Sequence, residues 1–331
     1  MNNAVTESLL MHAWFGLLGL MLILYVITDG FDLGVGILSL FRPRESETDR
    51  NMMIESIGQV WGANETWLVA LGGALFGAFP AAYAMLLSNL YGTVMLLIAS
   101  LIMRGAAIEF RHAAGPKYKL LWDRVFGLGS LLAAIAQGIV LGKLLTGLQA
   151  GTLSLGFVFI TVIGVVSGYA LLGATWLVRK TAGWLQRTAR MYSIIALCAT
   201  VGCAIVVTIG TRVISPVGSA RWTDPGVFHV LIFLGVIAAA VSCYVVYSIA
   251  KGGDYGPFNG SRVLFLTSFI GLAVSLFPDL VPGHLTVAAA ASDSSTLVFM
   301  LLGIGMVLPI MITYNVYQYQ SFSGKVISAE H

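Results

Sequence analysis

Apolar residues run along this chain in blocks of about twenty, the length that crosses a bilayer as a helix. Nine blocks are read, at 11–41, 54–76, 80–103, 125–147, 155–178, 191–213, 226–250, 261–280 and 295–319, separated by short polar stretches. The pattern predicts an all-α integral membrane protein of about nine transmembrane helices, in one transmembrane domain over residues 1–331. The first block exceeds a span, so its helix tilts or projects beyond the membrane. Pro278 and Pro282 end the eighth helix, and Leu308-Pro309 predicts a kink in the ninth.

Polar residues inside these blocks stand out because a charge in a membrane span is costly, roughly 2.5 to 3.5 kcal/mol on insertion scales. Asp29 and Asp32 break the first block in the stretch Thr28-Asp29-Gly30-Phe31-Asp32-Leu33-Gly34-Val35-Gly36. Three residues apart, they share a helix face, and Gly30 with Gly34 lets another helix come close. The second block carries Trp61, Asn64 and Glu65. Counted from the inner ends of their spans, Asp32 and Glu65 both lie roughly 15 Å deep at about 1.5 Å per residue, so a tight hairpin sets them level. Two readings stay open for such acids: interfacial or hydrogen-bonded carboxyls within a helix crossing, or stations of a proton- or ion-handling path. Arg104, at the end of the third block, and Arg111 read as cations reaching the headgroups. Gln137 reads as an interhelical hydrogen bond, and Tyr314, Tyr317 and Tyr319 as an aromatic belt.

Composition adds the class. Of 331 residues 58% are hydrophobic and 10% charged, and the mean hydropathy is +0.89, which excludes an ordinary soluble domain. The N-terminus lacks a charged secretory leader, so the first span is expected to stay in the mature protein. Fifteen of the 18 Lys and Arg fall on one side if the N-terminus is outside and the C-terminus inside, and this asymmetry sets the expected orientation. The net charge of +3 offers no basic run for nucleic acid. Cys198, Cys203 and Cys243 lie in apolar spans without metal spacing and read as buried thiols.

Ser167-Gly168-Tyr169-Ala170-Leu171 echoes Asp29-Gly30-Phe31-Asp32-Leu33. A weak internal repeat of two four-helix halves follows, 11–147 and 155–280, plus a ninth helix at 295–319. The second copy lacks both acids, which assigns any chemistry to the first half. His12, His112, His229, His284 and His331 lie near span ends, in loops or in the tail, and give no mid-depth pair of axial haem ligands. No zinc spacing, phosphate loop or nucleophile elbow is present. The residues alone leave two readings, a proton-coupled secondary transporter or a noncatalytic subunit of a larger membrane complex.

A set of short stretches, in order along nearly the whole chain, resembles the second subunit of cytochrome bd-type quinol oxidases, including the cyanide-insensitive branch. They are Asp29–Gly36; Ser56-Ile57-Gly58 with Trp61, Asn64 and Trp67-Leu68; Gly72–Phe76 with Phe79-Pro80; and Arg104-Gly105 with Glu109-Phe110-Arg111. Further along come Gly129-Ser130 with Gln137-Gly138, Leu172–Ala174 with Trp176-Leu177 and Lys180-Thr181, Phe277-Pro278, Val281-Pro282, Leu285-Thr286, Leu308-Pro309 and Gly324-Lys325-Val326.

The resemblance implies a haem-free subunit of the bacterial inner membrane. It would pack against a haem-bearing subunit I that carries b-type and d-type (or only b-type) haems and the quinol site. The complex would oxidise quinol and reduce oxygen to water, electrogenically and without pumping, drawing protons from the cytoplasm. A structural ubiquinone and a small single-span subunit stay open. Asp29 and Asp32 match the family's paired acids, and Trp61 and Asn64 its second-span motif. Many members carry an acid directly after that tryptophan, where this chain has Gly62. The expectation is that Glu65 takes over proton relay, supported by Asp29 or Asp32; the competing one is that protons run only through the partner.

Overall fold

A computed structural model describes residues 2–41 and 47–326, with side chains from Glu7 onward; Arg42, Arg44 and His331 lie outside the described residues. The helices are α1 (Asn2–Leu40), α2 (Glu47–Gly58), α3 (Trp61–Ala78), α4 (Pro80–Ala113), α5 (Pro116–Leu145), α6 (Thr152–Lys180) and α7 (Gly183–Ile214). They continue with α8 (Gly218–Thr223), α9 (Pro225–Ala250), α10 (Gly256–Leu276), α11 (Val287–Ala290) and α12 (Ser294–Ser321). Eight of the described helices are long and apolar enough to cross a membrane: α1, α4, α5, α6, α7, α9, α10 and α12.

The second predicted span, 54–76, is two helices. Gly58 ends α2 and Trp61 starts α3. The Ser56 carbonyl accepts from Trp176 Nε1 of α6 at 3.2 Å. Val60 N–H turns instead to the Ile57 carbonyl, 2.9 Å away, and the helix is interrupted there. α3 is 18 residues long and carries Asn64 and Glu65, and it is not among the eight. α2 is polar and sits at the end of the bundle that holds the basic residues. Arg111 Nη2 donates to Asn51 Oδ1 at 2.8 Å, Arg50 Nε to Asp123 Oδ2 at 3.1 Å, and Lys119 Nζ to Glu47 Oε1 at 2.9 Å.

α1 runs through the middle, packed against α3, α5 and α6. Its stretch from Asp29 to Leu38 is buried without a break. The small residues explain how. A β-carbon on Gly34 would land on the Tyr169 carbonyl of α6, and one on Gly173 on the Gly34–Val35 peptide, so the two backbones touch. On α5, a β-carbon at Gly129 would come 2.9 Å from the Ser100 carbonyl and 3.0 Å from Arg104 N, so its absence lets α4 lie against α5.

A two-stranded antiparallel hairpin, β1 (Asp279–Val281) with β2 (Leu285–Thr286), follows α10 at the point where the prolines end it. α12 continues through Pro309 as one helix; the non-helical residue falls in α4, at Leu90. After α12 the chain folds back onto the basic end. Lys180 Nζ donates to the carbonyls of Phe322 and Gly324, and Val326 N–H to the Lys180 carbonyl.

Candidate functional site

The two acids of α1 meet an arginine. Arg104 is fully enclosed, and its Nη1 donates to Asp29 Oδ1 at 2.5 Å. The expectation that Arg104 snorkels to the headgroups is therefore wrong. α4 continues helically past it to Ala113, and the contact at Gly129 turns it inward. Arg111 is likewise no headgroup anchor: it is buried against Asp123.

Asp32 sits one turn further along α1. Its Oδ2 accepts from Asn64 Nδ2 at 2.8 Å, and the same nitrogen lies 3.2 Å from the Thr28 carbonyl. The hairpin geometry thus brings the first and second blocks level, but the direct partner of Asp32 is Asn64 and not Glu65. Glu65 Oε2 stands 3.9 Å from Arg104 Nη2. Its side chain is 26% exposed, against none for Arg104 and Asp29. Trp61 opens α3, with its ring centroid 5.8 Å from the Arg104 guanidinium carbon, a cation–π distance. It also lines a groove of about 490 Å³ between α3 and α12, which carries Thr66, Met311, Asn315 and Gln318.

The cluster thus gathers Asp29, Asp32, Asn64 and Glu65 around one arginine, with Trp61 beside it. It is polar beyond its hydrogen bonds: Asp29 Oδ2, Asp32 Oδ1, Arg104 Nε and Arg104 Nη2 are buried with no partner among the described residues. A buried polar atom without a partner costs about 1–3 kcal/mol, more when charged. Arginine keeps its charge. One guanidinium balances one carboxylate, so a neutral cluster has two protons to distribute over three carboxyls. The cluster therefore holds more carboxyl groups than cations.

Three members of this polar network escaped the sequence reading. Arg104 is the first. Tyr319 is the second: it is no belt residue, since its hydroxyl donates to Asn64 Oδ1 at 2.7 Å, while Tyr314 and Tyr317 stay exposed. The third is a buried tyrosine pair beyond Asp29. Tyr169 donates to Gln137 Oε1 at 2.5 Å, and Gln137 Nε2 donates to the Tyr25 hydroxyl at 2.9 Å. Tyr25 lies one turn from Asp29 on the same face of α1. Gln137 does make the interhelical bonds read from its position. A tyrosine in an apolar run gives no sequence signal of this kind, since its ring alone suits the core.

Among the described histidines, His12, His112 and His229 each bond the carbonyl four residues back through Nδ1, and His284 Nε2 donates to the Gly147 carbonyl at 2.9 Å. Among the described residues no group of three or more His, Cys, Asp or Glu could hold a metal ion. Cys198 and Cys243, read as buried, are exposed on the outer faces of α7 and α9, where apolar side chains meet lipid.

The family model described as cytochrome bd terminal oxidase subunit II matches residues 10–322. Cytochrome bd-I ubiquinol oxidase subunit 2 of Escherichia coli K12 is 33% identical over 214 residues, which cover 60% of this chain and 56% of that protein. The match therefore spans little more than half the length of that relative. Cytochrome bd ubiquinol oxidase subunit 2 of Bacillus subtilis is 28% identical over 334 residues, covering 96% of this chain and 97% of the relative. A chain of the bd oxidase from Geobacillus thermodenitrificans has the same fold, with a TM-score of 0.78 at 18% identity, over 94% of this chain and 98% of that one.

Proposed function

The chain belongs to the cytochrome bd terminal oxidase subunit II family, and from that premise we propose that it is the haem-free second subunit of a quinol oxidase that reduces oxygen to water. In this reading a haem-bearing subunit I packs against it in the bacterial inner membrane and holds the quinol and oxygen sites. The haems there carry electrons and bind oxygen. This chain scaffolds that partner and supplies part of the proton route. The basic end of the bundle faces the cytoplasm, as the distribution of Lys and Arg implies. The two halves, 11–147 and 155–280, form a weak internal repeat, and the second copy lacks both acids of the first.

The observation that carries the proton role is the enclosed set Asp29–Arg104–Glu65 with Asp32 beside it. Arg104 stands between an inner carboxyl and an outer one. A proton leaving Glu65 strengthens its hold on the guanidinium and loosens the guanidinium's hold on Asp29. Glu65, the exposed member, is the point of exchange with the partner, and Trp61 shields the guanidinium on that side. This is how an acid displaced by three residues from Gly62 serves the relay.

A reduced-minus-oxidised optical spectrum of the gently solubilised, affinity-purified chain tests the subunit role. Haem bands with quinol-driven oxygen uptake on the same sample support it. A colourless chain, together with a native membrane extract holding no associated haem protein, moves a proton-coupled transporter ahead. In the complex, Glu65→Gln should slow oxygen uptake at unchanged haem content; full turnover would remove Glu65 from the route.

A further inference from the structure

The geometry points to Tyr319 as a positioning residue for Asp32, acting by fixing which way the Asn64 amide faces. The inference rests on the proton-route reading above and adds a residue from the last helix to it. Three facts carry it. The Tyr319 hydroxyl donates to Asn64 Oδ1 at 2.7 Å, and Asn64 Nδ2 donates to Asp32 Oδ2 at 2.8 Å, so the amide is held at both ends. The ring is itself fixed, edge-on to Phe31 at 6.3 Å and to Trp176 at 6.2 Å between centroids. The chain just beyond it is pinned to Lys180 through Phe322, Gly324 and Val326.

An amide has a donor end and an acceptor end, whereas a carboxyl group accepts only when ionised and also donates when protonated. With ionised Asp32, the arrangement observed here satisfies all three groups. With the proton on the unpartnered Asp32 Oδ1, Oδ2 still accepts from Nδ2, and the Thr28 carbonyl 3.2 Å from that nitrogen also requires its donor end, so one amide orientation serves both states. The Tyr319 hydroxyl, donating to Asn64 Oδ1, holds that orientation; phenylalanine leaves Oδ1 without its donor. No proton crosses the amide. Asn64 and Tyr319 hold the Asp32 carboxyl by its Oδ2 in both states, and the unpartnered Oδ1 is the site left for the proton itself. The other charged or titratable groups facing this trio are Asp29 on α1, Glu65 on α3, Arg104 on α4 and Arg262 on α10.

The experiment is a pH-jump infrared difference spectrum of the purified complex. The Asp32 carboxyl band is assigned by its loss in Asp32→Asn and the Asn64 amide band by its loss in Asn64→Leu. Tyr319→Phe keeps the ring contacts, so haem content and thermal midpoint should hold while the Asp32 band and the Asn64 amide band both shift. Oxygen uptake should fall several-fold. Should Tyr319→Phe fail to assemble, Asn64→Leu alone must shift the Asp32 band. Where both assemble, Tyr319→Phe must add nothing to Asn64→Leu. An Asp32 band missing from the unaltered complex, or unmoved by either substitution, overturns the inference. Failure of the proton-route reading looks different: Asp32→Asn would keep full oxygen uptake whatever the infrared bands do.

Discussion

Arg104 and Arg111 stand two turns apart on one face of α4, both buried, each paired with an aspartate from another helix. Their surroundings differ. Arg111 shares Asp123 with Arg50 and donates to Asn51, and among the described residues no fully buried side-chain atom of that set is left without a partner. Arg104 has one hydrogen-bonded carboxylate, a second at 3.9 Å and two nitrogens with none. The first set matches donors to acceptors and ties α2, α4 and α5 at the basic end. The second leaves carboxyl and guanidinium valences open in the middle of the bundle. Burial of an ion pair does not by itself mark function; the proposed proton role rests on the surplus of carboxyls over cations.

Substitution should pull the two clusters apart. The largest effect belongs to Arg104→Met, which strands Asp29 in an apolar bundle. Losing one partner of a buried pair costs about 3–5 kcal/mol, read as a fall in thermal midpoint or in assembled complex. Adding Asp29→Leu should restore assembly and leave oxygen uptake lost. If the double variant respires normally, the cluster is a staple like the other. Arg111→Met should cost about 1.5–3 kcal/mol of stability, from its charged hydrogen bonds, with turnover per haem unchanged. Gly129→Ala tests how the inner cluster is positioned. The added carbon pushes α4 away, and overpacking of this kind costs about 1–3 kcal/mol. Because the contact lies at Ser100 and Arg104, oxygen uptake should fall with it while the Arg111 set is spared.

The smallest effect is at the exposed rim. The hydrogen bond from Lys119, followed by its charge and those of Arg50 and Arg111, holds the Glu47 carboxyl below its usual range. A depressed carboxylate stabilises the fold above its unfolded value and loses that contribution as pH falls through the folded one. Lys119→Met should therefore lower the thermal midpoint slightly near neutrality and not at all in acid below the ordinary carboxylate range, measured as midpoint against pH. A difference that grows toward acid would contradict the sign.

Much of this was legible from the chain. Asp29, Asp32, Asn64 and Glu65 are conspicuous because each interrupts an apolar block, and their level placement follows from counting along two antiparallel spans. Arg104 was not legible, because it ends one apolar block and begins a charged stretch, which is also how a headgroup anchor looks. Only the glycine contact on α5, far along the chain, decides otherwise. Tyr319 was hidden in a cluster of tyrosines typical of an interface. The break between α2 and α3 depends on Trp176, more than a hundred residues away, taking a carbonyl that the helix would otherwise use. Local pattern reports where polar groups are; it does not report which packed face they turn toward.

The contact between Gly34 and Gly173 has a mechanical meaning. α1 and α6 lead the two halves read from the sequence, and here their main chains press on one another with no side chain between. Tyr169 wedges over Gly30 and is tied through Gln137 to Tyr25. A machine that opens alternately to two sides must let its halves rock or slide along their seam. This seam is keyed, which suits the proposed role of a strut that holds a neighbouring subunit at fixed distance while protons, and not the backbone, do the moving.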